Sequence, residues 1–146
     1  MTGGPIADLI LDTVETWEAQ LAALPEGRRD ALAGTRWTVR QMLGHLVDSA
    51  AFHRQLWIRL RTGDVSLPPY DQESFVALGG HAEAPWDELV ASWVAHNRLL
   101  ARAGRPIPEL ELSNRWLDKD RTLGEMMDHY VEHMHHHLES IRRAAD

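Results

Sequence analysis

Cysteine is absent from this chain of 146 residues, and no stretch of it stays apolar for long. Without cysteine the protein has no disulfides, no thiolate metal site and no cysteine nucleophile, which agrees with a reducing cytoplasm. The segment from Met1 to Ala7 lacks the basic region and apolar run of a secretory signal. No segment approaches the roughly 20 apolar residues that a membrane-spanning helix requires. The sequence therefore predicts a soluble, cytoplasmic protein that does not enter a membrane.

Basic residues are also in the minority, since 15 lysines and arginines stand against 22 acids for a net charge of −7. The basic residues are scattered along the chain, and a negative field repels phosphate backbones. We therefore expect no nucleic-acid partner. Hydrophobic residues make up 44% of the chain and charged residues 25%, as in globular proteins. This length and composition predict one domain, residues 1–146.

Helical periodicity fills the intervals between the prolines, because proline is excluded from helix interiors. Apolar side chains recur every three or four residues in four intervals, and no segment alternates between apolar and polar residues as a strand does. The first predicted helix runs from Ile6 to about Leu24, the second from Thr38 to before Gly63, the third from Pro85 to Gly104, and the fourth from Thr122 through Ile141. The recurring apolar side chains form a stripe along each helix, and four such helices can bury these stripes only against one another. The predicted fold class is therefore all-α, a four-helix bundle without a sheet.

Two of the predicted helices begin with a capping box, in which a threonine and a Gln or Glu three residues later satisfy each other's backbone amides. The pairs are Thr38 with Gln41, and Thr122 with Glu125. The connection between the second and third helices is about 20 residues, which is long for a bundle. A connection of that length can run along the bundle and leave those two helices parallel.

Histidine is the unusual residue of this chain: there are nine, and five fall between His129 and His137. At about 100° per residue, His133 and His137 lie one turn apart on the same edge of the apolar stripe of the last helix. His45 lies on the corresponding edge of the second helix. If those helices adjoin, the three imidazoles converge at the margin of the core. Three histidines with an open fourth position are a catalytic zinc arrangement, and nickel, iron or manganese also accept imidazole.

A structural explanation of the same histidines stays open. A lone histidine near an apolar face is more often a hydrogen-bonded core residue than a ligand, and a histidine-rich surface binds metals without any built site. We interpret His135 and His136 as such surface residues, and His53 as interior packing or a residue that supports the site. The angle of His129 argues against a fourth ligand. His81 and His96 belong to no cluster. The helical pattern gives no reason for the glycine at position 44, beside His45.

Two segments resemble the DinB/YfiT-like superfamily of metalloenzymes: WTVRQMLGHLVDS from Trp37 and HYVEHMHHHLESI from His129. The loop PPYDQESFV, residues 68–76, is similar to the connection in one branch of that superfamily. The resemblance covers residues 37–143, and the first helix fits by position only. Two residues depart from the branch, which commonly has an acid where this chain has Ala50 and an apolar residue where it has His53.

The resemblance implies an up-down-down-up bundle with a long crossover between helices 2 and 3. It also implies a homodimer and a nickel or zinc site formed by His45, His133 and His137. Characterised relatives transfer low-molecular-weight thiols such as bacillithiol or mycothiol, or act as thiol-dependent isomerases or hydrolases.

The leading hypothesis is thus a divalent-metal-dependent thiol S-transferase or related hydrolase, whose substrates are a small thiol and an electrophile. Asp48 and Glu132 are candidates for proton transfer or for supporting the metal ligands. One alternative is a non-catalytic metal- or thiol-binding protein of the stress response. Another is an interaction scaffold whose histidines are merely exposed.

Overall fold

Four long helices form the body of the protein in a computed structural model that describes residues 3–145. The helices are α1 (Gly4–Ala22), α2 (Val39–Leu60), α4 (Trp86–Gly104) and α5 (Leu123–Ala145). A short helix, α3 (Gln72–Leu78), lies within the connection between α2 and α4 and was not expected from the sequence. The predicted all-α class and the four predicted helices are therefore confirmed.

The core lies where α1 and α2 each pack against both α4 and α5. Burial of the apolar stripes between these helices supplies the main favourable free energy of folding. Within the described chain, every helix is too short or too polar to cross a lipid bilayer. The largest fully buried side chains are Trp57, Trp93, Tyr130, Ile10, Leu21, Leu43, Leu46, Leu56, Leu60, Leu100, Ile107 and Leu123.

Contacts between helix ends show the relative directions of two pairs. The indole nitrogen of Trp86, at the start of α4, donates to the Leu21 carbonyl at the end of α1 (2.7 Å), so these helices run antiparallel. Arg40, in the first turn of α2, donates to the carbonyl of Ala84 just before α4 (2.8 Å), so α2 and α4 start at the same end. The complete up-down-down-up order stays a prediction, which these contacts support.

Two small antiparallel hairpins correct the expectation that the chain has no sheet. β1 (Leu32–Ala33) pairs with β2 (Trp37–Thr38), and β3 (Arg115–Trp116) pairs with β4 (Arg121–Thr122). The prediction was wrong because strands of two residues are too short to show an alternating pattern. Each hairpin leads directly into a long helix, α2 or α5, and so sets the direction in which that helix leaves the loop.

Both predicted capping boxes are present. The Thr38 hydroxyl accepts a hydrogen bond from the Gln41 amide (3.2 Å), and the Gln41 side chain accepts one from the Thr38 amide (3.0 Å). Thr122 and Glu125 make the same reciprocal pair at the start of α5 (3.1 and 3.4 Å). These bonds satisfy backbone amides that have no partner inside a helix, so the two helices that carry the candidate ligands begin at fixed residues.

The connection between α2 and α4 is fastened to the second hairpin. The Val65 amide donates to the Arg115 carbonyl (3.0 Å), and the Leu117 amide donates to the Val65 carbonyl (2.9 Å). The Trp116 indole then donates to the Leu67 carbonyl (2.8 Å). The connection is therefore held beside β3, where it forms one wall of the cavity described below.

Candidate metal centre

The structure brings together the three histidines that the helical angles selected. One ring nitrogen from each of His45, His133 and His137 can be chosen so that the three lie within 4.8 Å of one another. The Nε2 atoms of His133 and His137 are 2.9 Å apart. This contact follows from their spacing of four residues on α5, which places the two imidazoles one turn apart. His45 reaches the pair from α2, with its ring centroid 5.5 Å from that of His133 and 5.0 Å from that of His137.

The interior environment of His45 fits a metal ligand better than a structural histidine. Its side chain is 0% exposed, and neither ring nitrogen has a hydrogen-bond partner. Nδ1 of His137 is likewise buried without a partner. Leaving a buried polar group unsatisfied costs about 1–3 kcal/mol, so buried polar atoms in native proteins are nearly always bonded. A divalent cation among the three imidazoles would bind one nitrogen of each ring, including one of the two unpaired nitrogens of His45, so these residues fit the group.

All three imidazoles are held in the neutral form that metal ligation requires. Burial, followed by the nearby His137 and His133, lowers the pKa of His45 to about 3. Burial is also the main cause that lowers the pKa of His133 and of His137 to about 4. At neutral pH each ring is therefore uncharged and carries one lone pair, so an incoming ion does not compete with a second proton on any ring.

An aromatic side chain covers one side of the cluster. Trp37, in β2, is buried, and its ring centroid lies 4.8 Å from that of His45. The guanidinium of Arg36 sits 4.3 Å over the Trp37 ring and makes an ion pair with Glu73 of α3. This arrangement ties the first hairpin to α3 and covers His45 with the Trp37 ring.

A cavity of about 590 Å³ opens on another side of the site, and His133 forms part of its wall. One part of this wall is aromatic: the ring centroid of Phe52 lies 5.1 Å from that of Tyr70 and 5.8 Å from that of Trp116. Volumes of this size suit small-molecule ligands. The remaining lining residues are Ser49, His53, Pro69, Asp71, Gln72, Lys119, Arg121, Glu125, Met126 and His129.

His81 does belong to a cluster, which corrects the sequence interpretation. Its Nε2 atom lies 2.8 Å from a carboxylate oxygen of Asp48, and the ring packs directly on Gly44. A Cβ atom at position 44 would lie 2.2 Å from Cγ of His81. The close packing of His81 therefore explains the glycine at position 44. A helical wheel could not predict this contact, because His81 lies in a turn at residues 81–83, outside the helix that contains Gly44.

We expect Gly44→Ala to destabilise the protein and to displace His81 from Asp48. Overpacking typically costs about 1–3 kcal/mol, whereas alanine gains at most about 1 kcal/mol over glycine in helix propensity. Urea denaturation measures the net loss. In Gly44→Ala/His81→Ala the clash is gone, so the double variant should be more stable than Gly44→Ala alone. If the double variant is the less stable of the two, the contact is not the reason for the glycine.

The other candidate residues lie at different distances from the cluster. Asp48 is partly buried and is bonded to His81 as described, while Glu132 is exposed and does not line the cavity. His135 and His136 are exposed, as predicted. His129 lies outside the three-histidine cluster, although its ring stacks on that of His133 at 5.6 Å. His53 is a buried residue in the cavity wall, and His96 bonds only to a carbonyl of its own helix, Ser92, 2.8 Å away.

Comparisons with known proteins identify one similar structure. No family model matches the sequence, and no curated protein matches it. The solved structure of YfiT from Bacillus subtilis, described as a probable metal-dependent hydrolase with an unusual four-helix bundle topology, aligns with a TM-score of 0.83 and 21% sequence identity. The alignment covers 97% of this chain and 84% of YfiT. The chain therefore has the four-helix-bundle fold of YfiT, and the resemblance in its sequence is confirmed at the level of the fold.

Proposed function

We propose that the chain is a divalent-metal-dependent enzyme that uses His45, His133 and His137 to hold one ion. The observation that carries this proposal is His45, a fully buried side chain with two unpartnered ring nitrogens beside two further imidazoles. A bundle core gains nothing from such a residue when an apolar side chain of similar volume is available. The description of YfiT as a probable metal-dependent hydrolase supports the same class of chemistry.

An ion at this position would lower the pKa of a thiol or water in its open coordination position and so supply a nucleophile at neutral pH. Residues of the chain would place the substrate and enclose the site. His133 stands both in the cluster and in the cavity wall, so a molecule in the cavity lies next to the site. Trp37 is buried and packs against His45. Zinc and nickel are the ions that we propose for three neutral imidazoles.

We propose a low-molecular-weight thiol as the nucleophile and a small electrophile as the second substrate. A thiol coordinated by the ion would be deprotonated, whereas metalloproteases that hydrolyse with a metal-bound water add a glutamate as general base. Both carboxylates in the cavity wall have other roles: Asp71 bonds to the Ser74 hydroxyl (2.6 Å) and Glu125 closes its capping box. Neither is a free base. Hydrolysis by water is the second candidate, supported by the description of YfiT.

The test is turnover by zinc- or nickel-loaded protein with a thiol, such as cysteine, and 1-chloro-2,4-dinitrobenzene, beside hydrolysis of 4-nitrophenyl acetate. We expect thiol-dependent turnover that His133→Ala lowers at least 100-fold, because the variant loses both a ligand and part of the cavity wall. His135→Ala is the control, because His135 is exposed and lies two residues from each of the α5 ligands; this variant should retain full activity.

Each result has a defined meaning. Turnover of the ester alone would favour the hydrolase. Tight thiol binding without any turnover would favour a metal- or thiol-binding protein without catalytic activity. Equal turnover by His133→Ala and the wild-type protein would contradict the proposed site. The homodimer implied by the sequence resemblance is a separate proposal, which sedimentation equilibrium tests directly.

A further inference from the structure

The cavity next to the proposed site has a wall of mixed chemistry. Phe52, Tyr70 and Trp116 supply apolar ring surface, and His53, His129 and His133 supply imidazoles. Small-molecule sites combine such apolar lining with a few polar groups that fix the orientation of the ligand. One of the polar groups, His53, has no assigned role in holding the metal, since it lies outside the three-histidine cluster.

His53 is an unusual wall residue because it is both buried and unpaired. Its side chain is 8% exposed, and its Nδ1 atom is buried with no hydrogen-bond partner. Its ring packs against Tyr130, with centroids 4.9 Å apart. The indoles of Trp57 and Trp93 are also buried and unpaired, but they lie in the core and do not line the cavity. His53 therefore combines an unmet polar group with access to a space that a ligand can fill.

The unpaired Nδ1 atom indicates which tautomer His53 adopts. In protein backbones a buried N–H without an acceptor is rarer than a buried carbonyl without a donor, and the same preference applied to the imidazole places the proton on Nε2. Of the two ring nitrogens of His53, Nδ1 is the one that is fully enclosed without a partner, so Nε2 is the one that can meet a molecule in the cavity, and it does so as a donor. Burial lowers the pKa of His53 to about 3, which keeps the ring neutral at neutral pH.

We propose that His53 is a substrate-positioning residue, whose Nε2–H donates a hydrogen bond to an oxygen acceptor of a substrate with an aromatic ring. The ring would rest against Phe52, Tyr70 and Trp116, and the acceptor, such as a carbonyl oxygen, would face the histidines. The proposal depends on the proposed function only in calling the bound molecule a substrate. The binding preference itself belongs to the cavity and does not need the metal.

The experiment measures binding of benzamide, an aromatic carbonyl compound, to metal-free and zinc-loaded protein by NMR titration. We expect His53→Leu to weaken benzamide binding at least tenfold and His53→Gln, which retains an N–H donor at similar reach, to weaken it less than threefold. Toluene, which has the ring but no acceptor, should bind wild type and His53→Leu equally. His96→Leu, a change outside the cavity, is the matched control. Long-range ¹⁵N correlation spectra of the free protein should show the proton of His53 on Nε2.

Several results would overturn the assignment. Equal benzamide affinity in wild type and His53→Leu would do so, as would a proton on Nδ1 or a wild-type protein that binds no benzamide. Zinc content separates this inference from the proposed function: His53→Leu should still bind one equivalent. Loss of zinc in His53→Leu would make His53 a metal ligand and refute the positioning role. Absence of zinc from the wild type would refute the proposed function and leave the benzamide comparison decisive for His53.

Discussion

His45→Leu is expected to abolish metal binding and, at the same time, to make the metal-free protein more stable. The variant removes the ligand that comes from α2, so one ion would keep only the two histidines of α5. It also removes two buried nitrogen atoms that have no partner in the metal-free fold. Because an unsatisfied buried polar group costs about 1–3 kcal/mol, we expect the free energy of unfolding of the metal-free protein to rise by an amount in that range.

Urea denaturation of chelator-treated wild type and His45→Leu, beside isothermal titration with zinc, measures both effects. Trp93→Phe is a useful control, since it also removes a buried unpaired nitrogen but stands in no metal site. It should leave zinc affinity unchanged. If His45→Leu lowers the stability of the metal-free protein by several kcal/mol, His45 has a structural role, and the argument from its unpaired nitrogens is wrong.

Acidification is expected to destabilise the metal-free protein strongly between pH 7 and pH 5. The folded-state pKa is about 3 for His45 and for His53, below the value of 6.5 for an unperturbed histidine. As the pH falls below 6.5, the unfolded chain binds protons that the folded chain does not, so stability is lost until the folded pKa values are reached. Over these two pH units the loss is about 2 kcal/mol for each of these two buried histidines. The total approaches the net stability of a small domain.

The free energy of unfolding from urea denaturation at pH 7, 6 and 5 tests this prediction. Other groups also titrate in this range, so the informative quantity is the difference between wild type and His45→Leu/His53→Leu. The double variant should lose about 4 kcal/mol less than wild type over the same interval. Parallel profiles for the two proteins would show that these histidines are not held neutral by burial.

The fold and the three-histidine cluster were predictable because both depend on helical periodicity. Proline positions and the capping boxes at Thr38 and Thr122 located the helices, and a repeat of about 100° per residue selected the edge that carries His133 and His137. His45 required one further assumption, that α2 and α5 adjoin, and the structure confirms it.

Helical periodicity could not predict contacts between segments that are distant in the sequence. A helical wheel describes one helix at a time, so it could not place His81 against Gly44 or bond it to Asp48. The hairpins were not predicted because a strand of two residues is too short to show alternating apolar and polar residues. The unpaired nitrogen of His53 depends on which neighbours surround it in three dimensions. The sequence placed His53 in the interior of the protein, but it did not show that His53 lines a cavity.

The metal content of tag-free protein, measured by elemental mass spectrometry after purification and dialysis, tests the central claim most directly. We predict about one equivalent of a divalent metal in the wild type, as for a single three-histidine site. That metal should be lost in His45→Ala, His133→Ala and His137→Ala alike, and retained in His135→Ala/His136→Ala. A wild-type protein without metal, or a loss confined to the His135 and His136 variant, would contradict the account.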